Sequence, residues 1–354
     1  MSSTAVNFPG FGLTHLMLLM VSALAGWGCL ALWYQVRGGR ILKSVSVAAW
    51  VALSLAMLIA LGQNQFVLGL LGFTVTFGAL LAWWHRLKPS NDRVWADDVA
   101  EMTTGAVEGS RVTLHNVRNF DWRSNSEYTR RWELRSYDLE RLDCVDMILS
   151  FWSTRAIAHV LISFGFNDGD HVVFSVEIRR RKGDGFSEIG GFFKEFELSI
   201  IAADERDIIR VRTNIRGEDD YLYRIRLPVP AMRSLFLAYV EQANCLVGTP
   251  RFYNTISVNC TTLVYHMAKH IVGYLPWDYR LLLSGYLPVY VCRIGGLDTR
   301  YTLTELRAFG RITERAKKSD RSPTFSADIR QGVPRIENQD PAARSAQSPS
   351  QHSA

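Results

Sequence analysis

His159 and Glu177 lie on two short apolar runs joined by a turn signal, and Cys260 lies where an extended segment gives way to a helical pattern. A thiol, an imidazole and a carboxylate are the parts of a nucleophilic acyl-transfer site. The thiolate attacks a carbonyl, the imidazole moves the proton, and the carboxylate orients the imidazole. Each residue also has a purely structural use, so their placement in the chain must decide.

Ala158–Phe166 and His171–Ile178 flank Asn167-Asp168-Gly169-Asp170, and Asp-Gly between apolar runs is a hairpin signal. A one-residue slip would send one strand's apolar set to the wrong face. Val160, Ile162 and Phe164 must therefore share a face with Val176, Phe174 and Val172, so that paired residue numbers sum to 336. This register leaves a three-residue loop, Asn167-Asp168-Gly169, with Gly at the left-handed position. It also sets His159 across from Glu177, on the face opposite the apolar set, with Cβ atoms about 5 Å apart. A carboxylate there fixes the tautomer of the ring and favours its protonated form. Such a pair alone is more often structural than catalytic, and it needs a nucleophile.

Around Cys260, the segment Arg251–Asn259 reads as extended and Asn259–Val272 as helical, with Asn259 a natural N-cap and Gly273 a natural stop. Cys260 is then expected at the first helical position, where the macrodipole and unpaired N–H groups favour a thiolate and bind a developing oxyanion. Considered alone, a cysteine at a helix start is more often a small buried hydrophobe. His266 and His270, spaced i, i+4, offer two metal ligands, but no Glu occupies the position a HExxH site requires. No metal and no cofactor is expected. His115 and His171 have no recognisable partner.

The elements that position these residues follow a membrane region. Leu13–Tyr34, Val45–Leu61 and Phe66–Trp84 contain no Asp, Glu, Lys or Arg, and each is near the length that crosses a hydrocarbon core. Trp33-Tyr34 and Trp83-Trp84 close the first and third runs, as interfacial aromatics do. A cleavable signal peptide is disfavoured, because no positive region precedes Leu13 and further apolar runs follow. Arg37, Arg40 and Lys43 in the first loop favour a cytoplasmic side for that loop, and with it for Arg86, Lys88 and everything beyond.

Residues 1–86 are thus expected to be transmembrane, 87–98 a linker, 99–315 one globular domain and 316–354 a disordered tail with too few large apolar residues to offset ordering. Within the domain, β-rich runs at Ser110–Val117, Ala158–Phe166, His171–Arg179, Phe192–Ile201 and Tyr221–Leu227, with helical spacing at Pro230–Val247 and Asn259–Val272, predict an α+β fold with an antiparallel sheet. The net charge is +6, but basic residues are dispersed except at Arg179-Arg180-Arg181-Lys182, which reads as a solvated strand end; no nucleic-acid partner is expected. The five cysteines form neither a disulfide framework nor a CxxC metal spacing.

Four stretches, Ala158–Phe166, Ser175–Arg179, Ala203–Asp207 and Tyr253–Thr262, together resemble the family of the N-terminal periplasmic domain of Lnb, a bacterial lipoprotein N-acyltransferase, over roughly Asn91–Arg330. The resemblance implies a circularly permuted papain-like thiol fold in which the sheet histidine precedes the helix-start cysteine, as His159 precedes Cys260. It implies Cys260 as nucleophile and His159 as base, with Glu177 orienting His159. Asp207 and Asn259 match motif positions without an implied role. The three helices precede the domain here, whereas Lnb resembles a domain-first arrangement. The resemblance implies a periplasmic domain on a bacterial inner-membrane protein, against the loop charges, and the expectation follows the resemblance.

The expected function is a thiol acyltransferase or acyl hydrolase with lipid as its partner and phospholipid or lipoprotein as substrate. A papain-like cell-wall peptidase or amidase, and a non-catalytic membrane-anchored binding module, are the alternatives.

Overall fold

A computed structural model describes residues 11–63 and 65–336. The chain forms two compact units. One takes the N-terminal region up to Ser90 together with Ser187–Glu195, and the other takes Asn91–Phe186 and the chain from Phe196 onward.

The first unit contains three helices, α1 (Phe11–Gln35), α2 (Arg40–Gly62) and α3 (Phe66–Arg86), each long and apolar enough to cross a membrane. Trp50 of α2 ties the first two together by donating its indole N–H to the Ala25 carbonyl at 2.9 Å. It packs against Gly28, where a Cβ would collide with the indole ring.

The second unit is a mixed α+β domain. Its strands are β1 (Thr104–Glu108), β2 (Arg111–Arg118), β3 (Asp121–Trp122), β4 (Tyr128–Thr129), β5 (Trp132–Asp138), β6 (Leu142–Phe151), β7 (His159–Phe166), β8 (His171–Arg179), β9 (Glu197–Ala203) and β10 (Asp219–Arg224). The main sheet runs β1-β2-β9-β8-β7-β6-β10, with β5 also on β2, and every pairing is antiparallel except β2 with β9. The helices are α4 (Glu205–Arg210), α5 (Val229–Gly248), α6 (Thr262–Val272), α7 (Leu287–Arg293), α8 (Leu303–Gly310), α9 (Thr313–Lys318) and α10 (Phe325–Ile329).

Alternation along the strands builds a core on each face. Val160, Ile162, Phe164, Val172, Phe174 and Val176 meet Phe236 and Tyr239 of α5 and Leu263 and Met267 of α6. Leu161, Val173 and Ile201 turn the other way, beneath Ile208 and Ile209 of α4 and Phe325 and Ile329 of α10. The β7–β8 pairs run from Leu161 with Ser175 to Gly165 with His171, all in the expected register, and Gly169 takes the expected positive φ of 95°.

Several expectations need correction. The stretch beyond Ala316 is built into the fold as far as the description extends. Phe325 and Ile329 are fully buried, contributing roughly 1.5–3 kcal/mol each, and Arg330 pairs with Asp146 and Glu205. Residues 337–354 lie outside the described residues. The linker also belongs to the domain from Asn91 onward, since Trp95 and Val99 are buried.

Arg179 is not a solvated strand end either. It is 4 % exposed, sits over the Trp95 ring and donates to the carbonyls of Val99 and Ala100 and to Asn91. Finally, β9 starts at Glu197 rather than Phe192. Gly190–Phe193 is a 3₁₀ turn, and Lys194 takes a left-handed conformation that interrupts the extended run.

Candidate functional site

The first residue of β7 is His159, and continuing the β7–β8 register brings it opposite Glu177. The row extends across the sheet, because Ser150 pairs with both His159 and Asp220, and Glu177 pairs with Ser199. Five neighbouring strands therefore place Asp220, Ser150, His159, Glu177 and Ser199 side by side. Two rows farther along β7 the residue is Ser163, and between them lies apolar Leu161.

His159 Nε2 is 2.7 Å from Ser175 Oγ and 3.2 Å from Glu177 Oε1. Ser175 donates its single proton to Glu177 Oε1 over 2.7 Å, so Nε2–H is the donor toward Ser175 and Nδ1 is the nitrogen left for the thiol. Burial opposes the charged ring, but the Glu177 carboxylate and the bond to Cys260 outweigh it, and the His159 pKa is pushed up to about 9. Glu177 is held well below the usual carboxylate range, because His159 and Arg212 overcome its burial.

Cys260 is buried, and the His159 ring acts directly on its thiol. Burial raises its pKa, yet the bond to His159 and the positive ring bring it below the ordinary thiol value. Cys144 provides the contrast: burial pushes that thiol up to about 12. An imidazolium beside a thiolate is the state in which a cysteine attacks.

Local chemistry holds Cys260 in place. The regular helix α6 begins at Thr262, so Cys260 stands in the turn before it rather than at its first residue. Asn259 nevertheless caps this turn as expected. Its side-chain oxygen accepts from the N–H groups of Thr261 and Thr262, each at 2.8 Å, and its carbonyl accepts from Leu263. Gly273 ends α6 at positive φ, as the sequence predicts.

On the other side, Ser284 clamps the strand ahead of His159, accepting from Ala158 N and donating to Ala158 O. The next residue must be glycine, since a Cβ at Gly285 would stand 2.1 Å from the Arg155 carbonyl.

Sequence reasoning found Cys260, His159 and Glu177, which the structure brings together, but it missed the groups behind them. A π-helical turn, Val211–Ile215, follows α4 and delivers Arg212. Arg212 Nη2 donates to Glu177 over 3.1 Å and Nη1 to Glu218 over 3.3 Å. Ser150 Oγ then lies 2.5 Å from Glu218 Oε2 and also bonds Asp220. One hydroxyl proton cannot serve two carboxylates. Burial pushes the Asp220 pKa up to about 7, so its carboxyl supplies the second proton.

The Ala203–Asp207 motif has a structural explanation. Asp204 caps α4, Glu205 accepts from Ser163 and Arg330, and Asp207 accepts from Arg118, Phe120 N and Trp122 Nε1. Together they fix the start of α4, which leads into the turn that carries Arg212.

Fold and site define a class: a membrane-anchored α+β domain with a buried cysteine–histidine–carboxylate constellation. Residues 128–285 match the family model described as the Lnb N-terminal periplasmic domain. No curated protein and no solved structure matches the chain. Three candidate membrane helices and this match to a periplasmic-domain family together support an inner-membrane protein with a periplasmic domain.

Proposed function

We propose that this protein is a membrane-anchored, cysteine-dependent acyltransferase or acyl hydrolase that acts on lipid or lipoprotein. The observation that carries this reading is the Cys260–His159 pair, backed by Glu177, in a site that lowers the thiol pKa and raises that of the imidazole.

The Cys260 thiolate attacks the carbonyl carbon of an acyl ester, forming a carbon–sulfur bond while the carbonyl oxygen takes up the electron pair. The Cys260 N–H stabilises that oxyanion. Collapse breaks the ester bond, His159 gives its proton to the leaving alkoxide, and a thioester remains on Cys260. An amine or water then attacks the thioester, His159 removes its proton, and the acyl product leaves as the thiolate re-forms.

Lipid is favoured as the source of the acyl group by the three helices and by large exposed side chains on the domain. Tyr274, Trp277 and Tyr279, just beyond α6, are 86 %, 67 % and 54 % exposed. Exposed apolar surface of this kind serves membrane or ligand contact.

The test is acyl transfer from phospholipid to a lyso-lipoprotein by the full-length protein. Cys260→Ala should abolish it, and full activity in that variant would overturn the mechanism. Trapping and weighing the intermediate identifies the substrate: a fatty-acyl mass on Cys260 supports this reading, and a peptide mass supports an amidase instead. A Cys260 no more reactive to alkylation than Cys144 would mark a binding module.

A further inference from the structure

The segment Ser187–Glu195 lies in the sequence between β8 and β9, yet it packs as part of the helical unit. Phe193 stacks on Tyr34 at 5.6 Å between ring centroids and contacts Trp27 and Trp84 at 6.2 and 6.3 Å. Gln35 donates to the Phe193 carbonyl at 2.6 Å, and Tyr34 pairs with Ser187 at 3.3 Å. Lys194 donates to the Trp84 carbonyl at 2.9 Å and lies 4.7 Å from that ring's centroid. A cation at the last turn of α3 meets both the unpaired carbonyls and the negative end of the helix dipole.

These contacts gather at one end of the bundle, where Gln35 ends α1 and Arg86 ends α3. That end also carries Trp33, Tyr34, Trp83 and Trp84, side chains that favour the headgroup level of a bilayer. The 25 residues of α1 span about 37 Å, longer than a hydrocarbon core of about 30 Å, so its last turns reach the interface. At this level the segment leaves Ile189 52 % and Phe192 40 % exposed. Their neighbours inside the segment, Gly190, Gly191 and Phe193, are buried.

We infer that Ser187–Glu195 is a lipid-facing interfacial element: Phe193 and Lys194 fasten it to α1 and α3, and Ile189 and Phe192 enter the boundary between headgroups and acyl chains. The occupant of this apolar surface is lipid, because the helices are also exposed and apolar at this same end of the bundle, at Leu30 and Trp33 of α1 and at Ile41, Leu42 and Val45 of α2. The element belongs to the chain that joins Glu177 to Ser199. The strands bearing those two residues are therefore linked through a segment seated at the membrane surface. This inference concerns the lipid contact and stands whatever chemistry Cys260 performs.

The experiment places p-benzoylphenylalanine at Ile189 or Phe192 in the full-length protein, reconstituted in phosphatidylethanolamine–phosphatidylglycerol vesicles and irradiated. The same probe at Leu134, exposed on β5, serves as control. Phospholipid adducts from positions 189 and 192 should exceed the control by at least about tenfold, as for side chains at the interface. Adducts at control level, or adducts to a second copy of the protein, would overturn the inference. Phe193→Ala should return the yield at position 192 to control level, and an unchanged yield would overturn the fastening role.

Discussion

Arg212 donates to the Glu177 carboxylate oxygen that also lies 3.2 Å from His159 Nε2, so one oxygen serves two cations. Arg212 supports the carboxylate, but its charge opposes protonation of His159. The two effects separate in a variant. Arg212→Met should move the alkaline limb of kcat/KM upward from about pH 9, because a repelling charge has gone. The same change leaves Glu177 and Glu218 buried without their shared cation, at a cost of about 3–5 kcal/mol in stability. Arg212→Lys should restore charge but not the two-carboxylate bridge, recovering stability only in part. An alkaline limb that moves down in Arg212→Met would contradict this account.

Glu177→Gln should shift the same limb in the opposite direction. The raised His159 pKa depends on the carboxylate, so the limb should fall from about 9 toward the ordinary histidine value of about 6.5. The thiolate then loses its imidazolium partner over much of the working range. A loss of roughly 10²–10⁴ in kcat/KM is expected, the usual scale for proton transfer by a positioned side chain. Rates measured from pH 5 to 10 test both parts. A profile that keeps its shape would remove Glu177 from the site's electrostatics.

The sequence could show the His159–Glu177 relationship because two independent signals, alternation and turn chemistry, demand the same register. Asn259 was legible for a similar reason, as a cap residue at the end of an extended run. Arg212 was not legible, because a π-helical turn has no hydrophobic period to set its direction. Ser150 was hidden on β6, a strand whose pattern is broken by buried Asp146 and Ser150. Phe193 looked like strand, since an apolar side chain carries no mark of which unit will bury it. Phe325 and Ile329 were missed because two anchors in a polar stretch fall below any compositional signal, while the ion pairs of Arg330 depend on partners far away in the chain.

Sidedness can be read from two other cysteines. Cys245 and Cys292 are free and exposed on the domain. A membrane-impermeant maleimide added to intact spheroplasts should label both, as a periplasmic domain requires. Arg37, Arg40 and Lys43 follow α1 at the end of the bundle where α3 hands over to the domain, and by charge they favour the opposite side. Labelling only after lysis would show that these charges prevail.

Asp220 should make stability depend on pH in a way that Asp220→Asn removes. In the fold its carboxyl keeps a proton up to about pH 7, whereas the unperturbed group releases it near 3.8. Between these values the folded chain binds more protons than the unfolded one, so stability falls as pH rises. The contribution is fully present below 3.8 and gone above about 7. Asparagine is neutral throughout, and its amide can donate to Ser150 as the protonated carboxyl does. Wild type and Asp220→Asn should therefore unfold at similar temperatures near pH 4. By pH 8 the variant should be the more stable by about 1–3 kcal/mol. Thermal unfolding of the detergent-solubilised full chain at several pH values measures this gap. A gap that stays constant across the range would mean that Asp220 is ionised in the fold, and that Ser150 is not held between one carboxyl and one carboxylate.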